Sequence, residues 1–310
     1  MQNKTTLSIV ISAFNEENKI RDCLESAKWA DEIIFLDNSS TDNTTVIAKE
    51  YTKKIISQVN NPEAIDIQKN TGIEKASGDW ILVLDADERI TAELAKEVQT
   101  VINSGQQPLN GYLIPRRNII FGKWIKHTGW YPDPQLRLFK KGKGKFEHKH
   151  VHEPLKVEGQ TATLHSQLLH YNFETIPQFL HKHMDVYAPN EAEELIREGY
   201  TFAWKDAVRM PLKEFLSRYF AREGYKDGFH GFMLSIFMAF YHFVIFAYIW
   251  EKNNFKDVDT QDFASLQNDL EQEFKKAGQE VQFWVYNEKI KYEKNSVNKL
   301  LLKTKRKLKI

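Results

Sequence analysis

The stretch Trp80-Ile81-Leu82-Val83-Leu84-Asp85-Ala86-Asp87-Glu88 decides the fold. Five apolar residues in a row, without polar alternation, read as a strand buried on both faces. The run stops in three carboxylates within four residues. Asp85 and Asp87, spaced i, i+2 on turning backbone, repel each other unless a cation lies between them. Hard oxygen donors suit Mg2+ or Mn2+, and Mg2+ completes its shell with substrate phosphates. The stretch therefore reads as a metal–diphosphate site at the C-terminal edge of a parallel sheet. The plainer alternative is an acidic strand end meeting water. A calcium loop is excluded, because Arg89 and Ile90 stand where that loop needs an acid or Asn and then Gly. A phosphatase with a nucleophilic Asp would place the motif after its first strand. No G-x-x-x-x-G-K-[ST] occurs, which excludes a P-loop enzyme.

Upstream, Leu7 to Ala13, Ile33 to Leu36 and Ile55 to Val59 are strand candidates. Helices link them. Ile20, Leu24 and Ala27 recur at helical spacing within 16–28, N-cap residue types precede a helix from Thr44 to Tyr51, and Pro62 opens one reaching Ala76. A helix from Ala92 to Ile102 follows the acidic strand. Alternating strands and short helices mean an α/β fold with a mostly parallel sheet. Ligands bind such sheets outside the carboxyl ends of the strands. Three of those ends carry polar loops: Phe14-Asn15-Glu16, Asp37-Asn38-Ser39 and Asp85-Ala86-Asp87. The 310 residues suffice for one large or two small domains, and a net charge of +1 argues against a general polyanion binder. The single Cys23 excludes intramolecular disulfides and a cysteine zinc site, and fits a reducing compartment. Leu7 to Phe14 is too short, and ends too acidic, for a signal peptide.

Four blocks carry a resemblance: Val10-Ile11-Ser12-Ala13-Phe14-Asn15-Glu16-Glu17, Asp37 to Asp42, Gln68-Lys69-Asn70-Thr71-Gly72-Ile73 and Asp85-Ala86-Asp87. In this order and spacing they resemble the family 2 glycosyltransferases. The resemblance implies a GT-A, Rossmann-like catalytic domain that transfers a sugar with inversion from a nucleotide-sugar. It implies that Ala13, Asn15, Glu16 and Asp37 border the nucleoside, with Asp37 bonding the base. Lys69 and Asn70 would lie near the diphosphate. Asp85, with Ala86 beside it, would approach the ribose or metal, and Asp87 would ligate Mg2+ or Mn2+. Three positions depart from the family pattern. Asn38 replaces a second Asp, Ala13 stands where Pro is common, and Lys69 replaces an Arg, turning a bidentate phosphate grip into a point charge.

From Gly111 to His170 the periodicity changes. Gly111 to Ile114 and Leu136 to Phe139 read as strands around Gly129-Trp130-Tyr131-Pro132-Asp133-Pro134. An aromatic, proline-stiffened loop holding one Asp suits an acceptor wall. Inverting transfer needs a base for the acceptor hydroxyl. One carboxylate suffices where metal rather than an acid neutralises the leaving diphosphate. Asp133 and Glu153 are the candidates, Asp133 being favoured, and Arg137 completes the catalytic set. His152 is a candidate for the diphosphate or metal. On the plainer view Asp133 and Arg137 are a surface ion pair, and His148, His150 and His152 line an exposed strand. The alternate histidines are a weak zinc signal. This block, with its later His-Glu pair, also resembles the lipopolysaccharide inner-core β-1,4-glucosyltransferases, over roughly residues 7 to 250.

Thr175 to Glu198 and Leu212 to Tyr225 read as helices. Phe229 to Trp250 lacks any formally charged residue and is long enough for a bilayer's apolar thickness. It reads as an interfacial helix, a span or a buried core helix, with preceding Arg and Lys favouring an anionic surface. Asp257 to Glu280 is a polar helix candidate. Lys289 to Ile310 is basic around Leu300-Leu301-Leu302, either a membrane-touching amphipathic tail or disordered. The expected organisation is a GT-A domain over 1–225, with a nucleotide-sugar half about 1–105 and an acceptor half about 106–225. A hydrophobic membrane-associated helix over 226–254 and a polar helix with basic tail over 255–310 follow. The expected activity is metal-dependent transfer of a hexose, from a UDP-sugar in first place, to a lipid-linked or lipopolysaccharide-type envelope acceptor. The expected location is the inner face of the cytoplasmic membrane, attached peripherally or monotopically. The alternatives are a polyprenyl-phosphate sugar synthase of the same fold and a non-catalytic, membrane-docked nucleotide or sugar binder. A nucleic-acid partner is not expected, since no recognition module is present.

Overall fold

The chain opens as alternating strand and helix, as its periodicity requires. In the computed structural model, which describes residues 4–61, 65–104, 108–147, 154–257 and 263–308, β1 (Leu7–Ala13), β2 (Glu32–Asp37), β3 (Lys54–Ser57) and β4 (Trp80–Asp85) pair in parallel. The crossovers are α1 (Ile20–Ala27), α2 (Thr44–Ala48), α3 (Ile65–Gln68) and α4 (Asn70–Lys75). The expected helix from Pro62 is thus two short helices, and residues 62–64 lie outside the described ones. β4 is buried on both faces, which explains its unbroken apolar run. Leu82 and Leu84 join Leu24 of α1 and Val98 in one core, while Ile81 and Val83 join Val10, Ile73 and Phe139 in the other.

The chain then departs from simple alternation. β5 (Glu88–Ile90) leads into α5 (Ala92–Asn103), whose N-cap Thr91 accepts a hydrogen bond from Leu94 N–H. β6 (Leu109–Ile114), β7 (Arg116–Ile120), β8 (Lys123–Trp124) and β9 (Gln135–Lys140) follow. β10 (Gly144–Lys145) and β11 (Lys156–Val157) form a two-stranded ribbon, ahead of β12 (Gln160–Thr163) and β13 (Leu168–Phe173). β9 enters the main sheet antiparallel to both β4 and β6, giving the order β12-β6-β9-β4-β1-β2-β3. Leu138 faces Leu82, so Arg137 comes next toward the acidic end of β4. β13 lies between β5 and β7 in a second sheet and runs antiparallel to β5.

Two compact units result: residues 1–120 with 131–172, and 121–130 with 173–310. The first unit runs to residue 172. The helices from Thr175 onward group with the C-terminal ones because their aromatic faces pack there. α6 (Ile176–His181) and α7 (Ala188–Arg197) flank a π-helical segment at Lys182–Tyr187. In it the His183 ring stacks on Phe179 and meets Tyr241 edge-on. α8 (Asp206–Leu216) precedes α9 (Phe229–Lys252), α10 (Phe263–Tyr292) and α11 (Ser296–Leu308). Gly231 brings α9 onto the Gly224 carbonyl, leaving no room for a Cβ.

α9 is the candidate span among the described residues by length and composition. Its two faces differ. Leu234, Met238, Tyr241, Ile245 and Ile249 are buried, whereas Phe229, Phe232, Ile236, Phe240, Phe243 and Trp250 are exposed. Within the basic tail, Ser296–Leu308 is helical.

Glu32, at the start of β2, ties three elements together. It accepts Ser77 N–H and Ser77 Oγ–H at 2.8 Å each, and also Ser8 Oγ–H and Lys54 Nζ. Burial pushes its carboxyl up, but these donors win and hold it at about 2 against an ordinary 4.5. The folded chain therefore binds this proton less readily than the unfolded one. The stabilisation is complete above pH 4.5 and is lost as pH falls toward 2. Urea midpoints across that range are expected to fall for the wild type and to fall less for Glu32→Gln, which starts lower at pH 7.

Candidate functional site

The ends of β1, β2 and β4 form the predicted rim. Among the described residues of the first unit, the non-glycine residues at positive φ are Asn15 (53°), Ser39 (63°) and Asp133 (43°). All three sit in loops that sequence reasoning had singled out. Backbone held in this sparsely populated region persists where its surroundings over-determine it, which occurs most at ligand sites. The surroundings are visible here. Asn15 N–H donates to Ser40 Oγ, and Asn15 Oδ1 accepts Thr41 N–H at 2.8 Å. Glu16 N–H donates to Thr44 Oγ1. Ala13 and Ala86 are buried beneath these loops.

Asp37 is 6% exposed, and its Oδ1 accepts Ser40 N–H at 3.0 Å. Among the described residues Oδ2 has no partner, so one oxygen stays open to accept a donor from a ligand. Asn38, in place of the usual second Asp, is a cross-brace. Its Nδ2 donates to Ser12 Oγ and its Oδ1 accepts Gln58 Nε2–H.

Asp85 lies between two cations. Lys69 Nζ lies 2.6 Å from its Oδ1, and Arg137 Nη2 bonds its Oδ2. Burial pushes the carboxyl up, yet Arg137 and Lys69 hold it well below the usual carboxylate range. Asp85, expected to approach the ribose or metal, is here the partner of two cations. Lys69, itself buried, also pairs with the half-buried Asp66 at 2.8 Å. Asn70 bonds the Phe146 backbone through both Nδ2 and Oδ1 and so braces that loop. Arg137 is not a surface ion pair with Asp133. It is buried, bonds Glu88 Oε1 at 3.0 Å as well as Asp85, and its buried Nε–H has no acceptor among the described residues. Burial acts to lower the guanidinium's pKa, but Asp85 and Glu88 raise it overall.

Glu88 passes the network on. Fully buried, it accepts Asp85 N–H, and Arg116 lies 3.6 Å from its Oε1. Arg116 in turn forks onto Asp133 Oδ2 through Nε at 2.9 Å and Nη2 at 2.6 Å. Asn118 Nδ2 donates to the same oxygen at 3.0 Å, while among the described residues Oδ1 takes only Gln135 Nε2. Burial pushes the Asp133 carboxyl up, and Arg116 with these amides holds it below the ordinary value. Asp133 is thus ionised at neutral pH, with Oδ1 the less occupied oxygen.

Asn118 also sets a histidine. Because its Nδ2 faces a carboxylate, its Oδ1 faces His170 Nδ1, 2.7 Å away. His170 therefore carries its proton on Nδ1 and, when neutral, a lone pair on Nε2. That Nε2 lies 3.5 Å from Asp87 Oδ2. A carboxylate oxygen and an imidazole lone pair this close fit a shared divalent cation, with the imidazole's other nitrogen held as metal-binding histidines require. Three or more such donors do not cluster around one point among the described residues. Water and substrate phosphate would complete the shell of Mg2+ or Mn2+.

Glu153 and His152, with His148 and His150, lie outside the described residues. Sequence reasoning missed His170, Arg116 and Asn118. The signal was present: Arg116 and Asn118 share one face of β7, and His170 interrupts the inward Leu168 face of β13. A polar residue at an inward strand position asks for a partner.

Comparison with known proteins follows this geometry. Residues 8–155 match the family model described as Glycosyl transferase family 2. The chain is 26% identical over 258 residues to the lipopolysaccharide core biosynthesis glycosyltransferase LpsC of Rhizobium meliloti, covering 82% of this chain and 95% of that protein. It is 28% identical over 256 residues to an uncharacterized glycosyltransferase of Rickettsia typhi, covering 79% and 87%. A crystal structure of S. aureus TarS 1-349 in complex with UDP-GlcNAc is 14% identical, with 81% of this chain and 93% of that chain covered and a TM-score of 0.41.

Replacing Arg137 by Leu leaves Asp85 and Glu88 facing each other without their shared cation. Removing one member of a buried pair costs about 3–5 kcal/mol. Urea unfolding at pH 7 is expected to show that loss, with Arg137→Lys recovering part of it.

Proposed function

We propose, for a chain that is a glycosyltransferase carrying the family 2 domain over residues 8–155, inverting transfer of a hexose from a UDP-sugar to a membrane-borne envelope glycan. One observation carries this reading. The single amide of Asn118 joins the ionised Asp133 to the His170–Asp87 pair, so a base and a metal-holding pair share one buried brace. Donor and acceptor chemistry need just these two functions side by side.

The residues take the following roles. The open oxygen of Asp37 accepts an N–H of the base, while the Asn15–Thr41 and Glu16–Thr44 bonds keep that loop in place. Asp87 and His170 would hold Mg2+ or Mn2+, which supplies neutralisation of the departing diphosphate. Asp133 takes the acceptor hydroxyl proton on Oδ1, its Oδ2 being saturated by Arg116 and Asn118. Arg137 and Lys69 keep Asp85 ionised, and Arg116 presents Asp133 as a carboxylate at the start of each turnover, ready to receive that proton. The exposed aromatic face of α9 suits attachment to the inner face of the cytoplasmic membrane, where such acceptors are built. The name of the Rhizobium relative supports a lipopolysaccharide-type acceptor.

Asp133→Asn is expected to lower sugar transfer by about 10²–10⁴-fold with UDP affinity kept. Near-full activity in that variant would move the base to Glu153 or make the acceptor a lipid phosphate, which needs no strong base. In thermal-shift titrations UDP should raise the midpoint more with Mn2+ than without it. Asp87→Ala and His170→Ala should each remove the metal-dependent part. A metal-dependent shift that survives both would overturn the assigned pair.

A further inference from the structure

We propose that the α10–α11 hairpin is a second docking site for an anionic bilayer, with a cavity that receives a lipid phosphate headgroup. The proposal rests on the membrane reading above for the identity of the surface, but uses none of the catalytic residues.

The argument begins with the thirteen residues of α11, Ser-Val-Asn-Lys-Leu-Leu-Leu-Lys-Thr-Lys-Arg-Lys-Leu. At 100° per residue, Val297, Leu300, Leu301 and Thr304 share one stripe. That stripe points outward: Val297 is 68% exposed, Leu300 65% and Leu301 55%. Lys305 and Lys307 fall on its two sides. The opposite face is the one that packs. Leu302 and Arg306 are half-buried, Arg306 donates to Asn287 Oδ1 of α10, and its guanidinium lies 5.7 Å from the Phe283 ring. A helix that anchors by its polar side and offers its leucines to water is reversed relative to a core helix. An apolar face flanked by lysines is the pattern of a helix lying in a headgroup layer, with the lysine stems spread on the acyl boundary.

The cavity supplies the second observation. Between α10 and α11 lies a space of about 640 Å³ lined by Lys276, Lys303, Arg306, Lys307, Glu280 and Phe283, among others. Four cations meet one carboxylate. Lys276 is paired with Glu273 and Arg306 is held by Asn287. Lys303 and Lys307 have no partner among the described residues. α11 carries no acid to neutralise them. Two uncommitted ammonium groups beside a fixed guanidinium suit a phosphate, and an apolar ring beside it suits the glycerol and first acyl carbons. The exposed leucines on the same helix favour a lipid over a free phosphate or a nucleic acid, neither of which would cover them.

The test floats the full-length chain with vesicles of phosphatidylcholine alone or mixed with phosphatidylglycerol. The wild type is expected to prefer the anionic vesicles. Lys303→Gln with Lys307→Gln should weaken anionic binding about thirty-fold while leaving UDP binding and the thermal midpoint unchanged. Leu300→Gln with Leu301→Gln should weaken binding to both vesicles and keep the anionic preference. Phe240→Gln with Phe243→Gln addresses the α9 face separately. If that variant alone abolishes binding and the α11 variants match the wild type, the hairpin proposal fails and the membrane reading stands. If the wild type floats with neither vesicle, both fail. Equal displacement by inorganic phosphate and by vesicles, or retention on a short DNA duplex that the lysine variant loses, would also overturn the lipid assignment.

Discussion

One guanidinium holds the site together. Arg137 reaches from β9 to both the half-buried Asp85 and the fully buried Glu88, two carboxylates that would otherwise repel each other across a single turn. Its neighbours extend the pattern. Asp66, Lys69, Asp85, Arg137, Glu88, Arg116 and Asp133 alternate in sign through the sheet, each within ion-pair distance of the next. Such a chain adds little net stability, because desolvating the charges consumes most of what their attraction returns. What it provides is placement. Each carboxylate has a fixed orientation and a fixed charge before any ligand arrives, which is the condition for electrostatic catalysis without reorganisation.

The network also separates two kinds of acid that look alike as letters. Asp85 and Asp87 are two residues apart and both leave the same strand. Asp85 turns into the network, while Asp87 turns to His170. The difference arises from β5. Glu88 begins a short strand paired with β13, and that pairing brings His170 beside Asp87. The third carboxylate of the acidic run is therefore a structural hub and not part of the rim.

Much of the fold was legible in advance. The apolar run of β4, the spacing of Ile20, Leu24 and Ala27, and the polar strand ends led to the parallel sheet and its loaded edge. These signals are local, and local signals survive in a single sequence. The misses share a cause. Arg116, Asn118 and His170 are separated from Asp87 and Asp133 by strand pairings that periodicity does not encode, and the antiparallel entry of β9 has no signature in the run Leu136 to Phe139. The helices from Thr175 to Tyr225 were expected within the acceptor half. Their aromatic stripes pack on α9, a choice made by surfaces far apart in the chain.

The placement of β9 bears on how this protein could diversify. Enzymes of this kind are easily imagined as a donor module joined to an exchangeable acceptor module. Here the strand that covers one edge of β4 comes from residues 135–140, beyond the donor part, and so does the cation that balances the acids at the end of β4. A crossover point near residue 105 would strip an interior strand of its neighbour and leave two carboxylates unopposed. New acceptor preferences would therefore arise more readily by changing loops around a conserved β9 than by recombining halves.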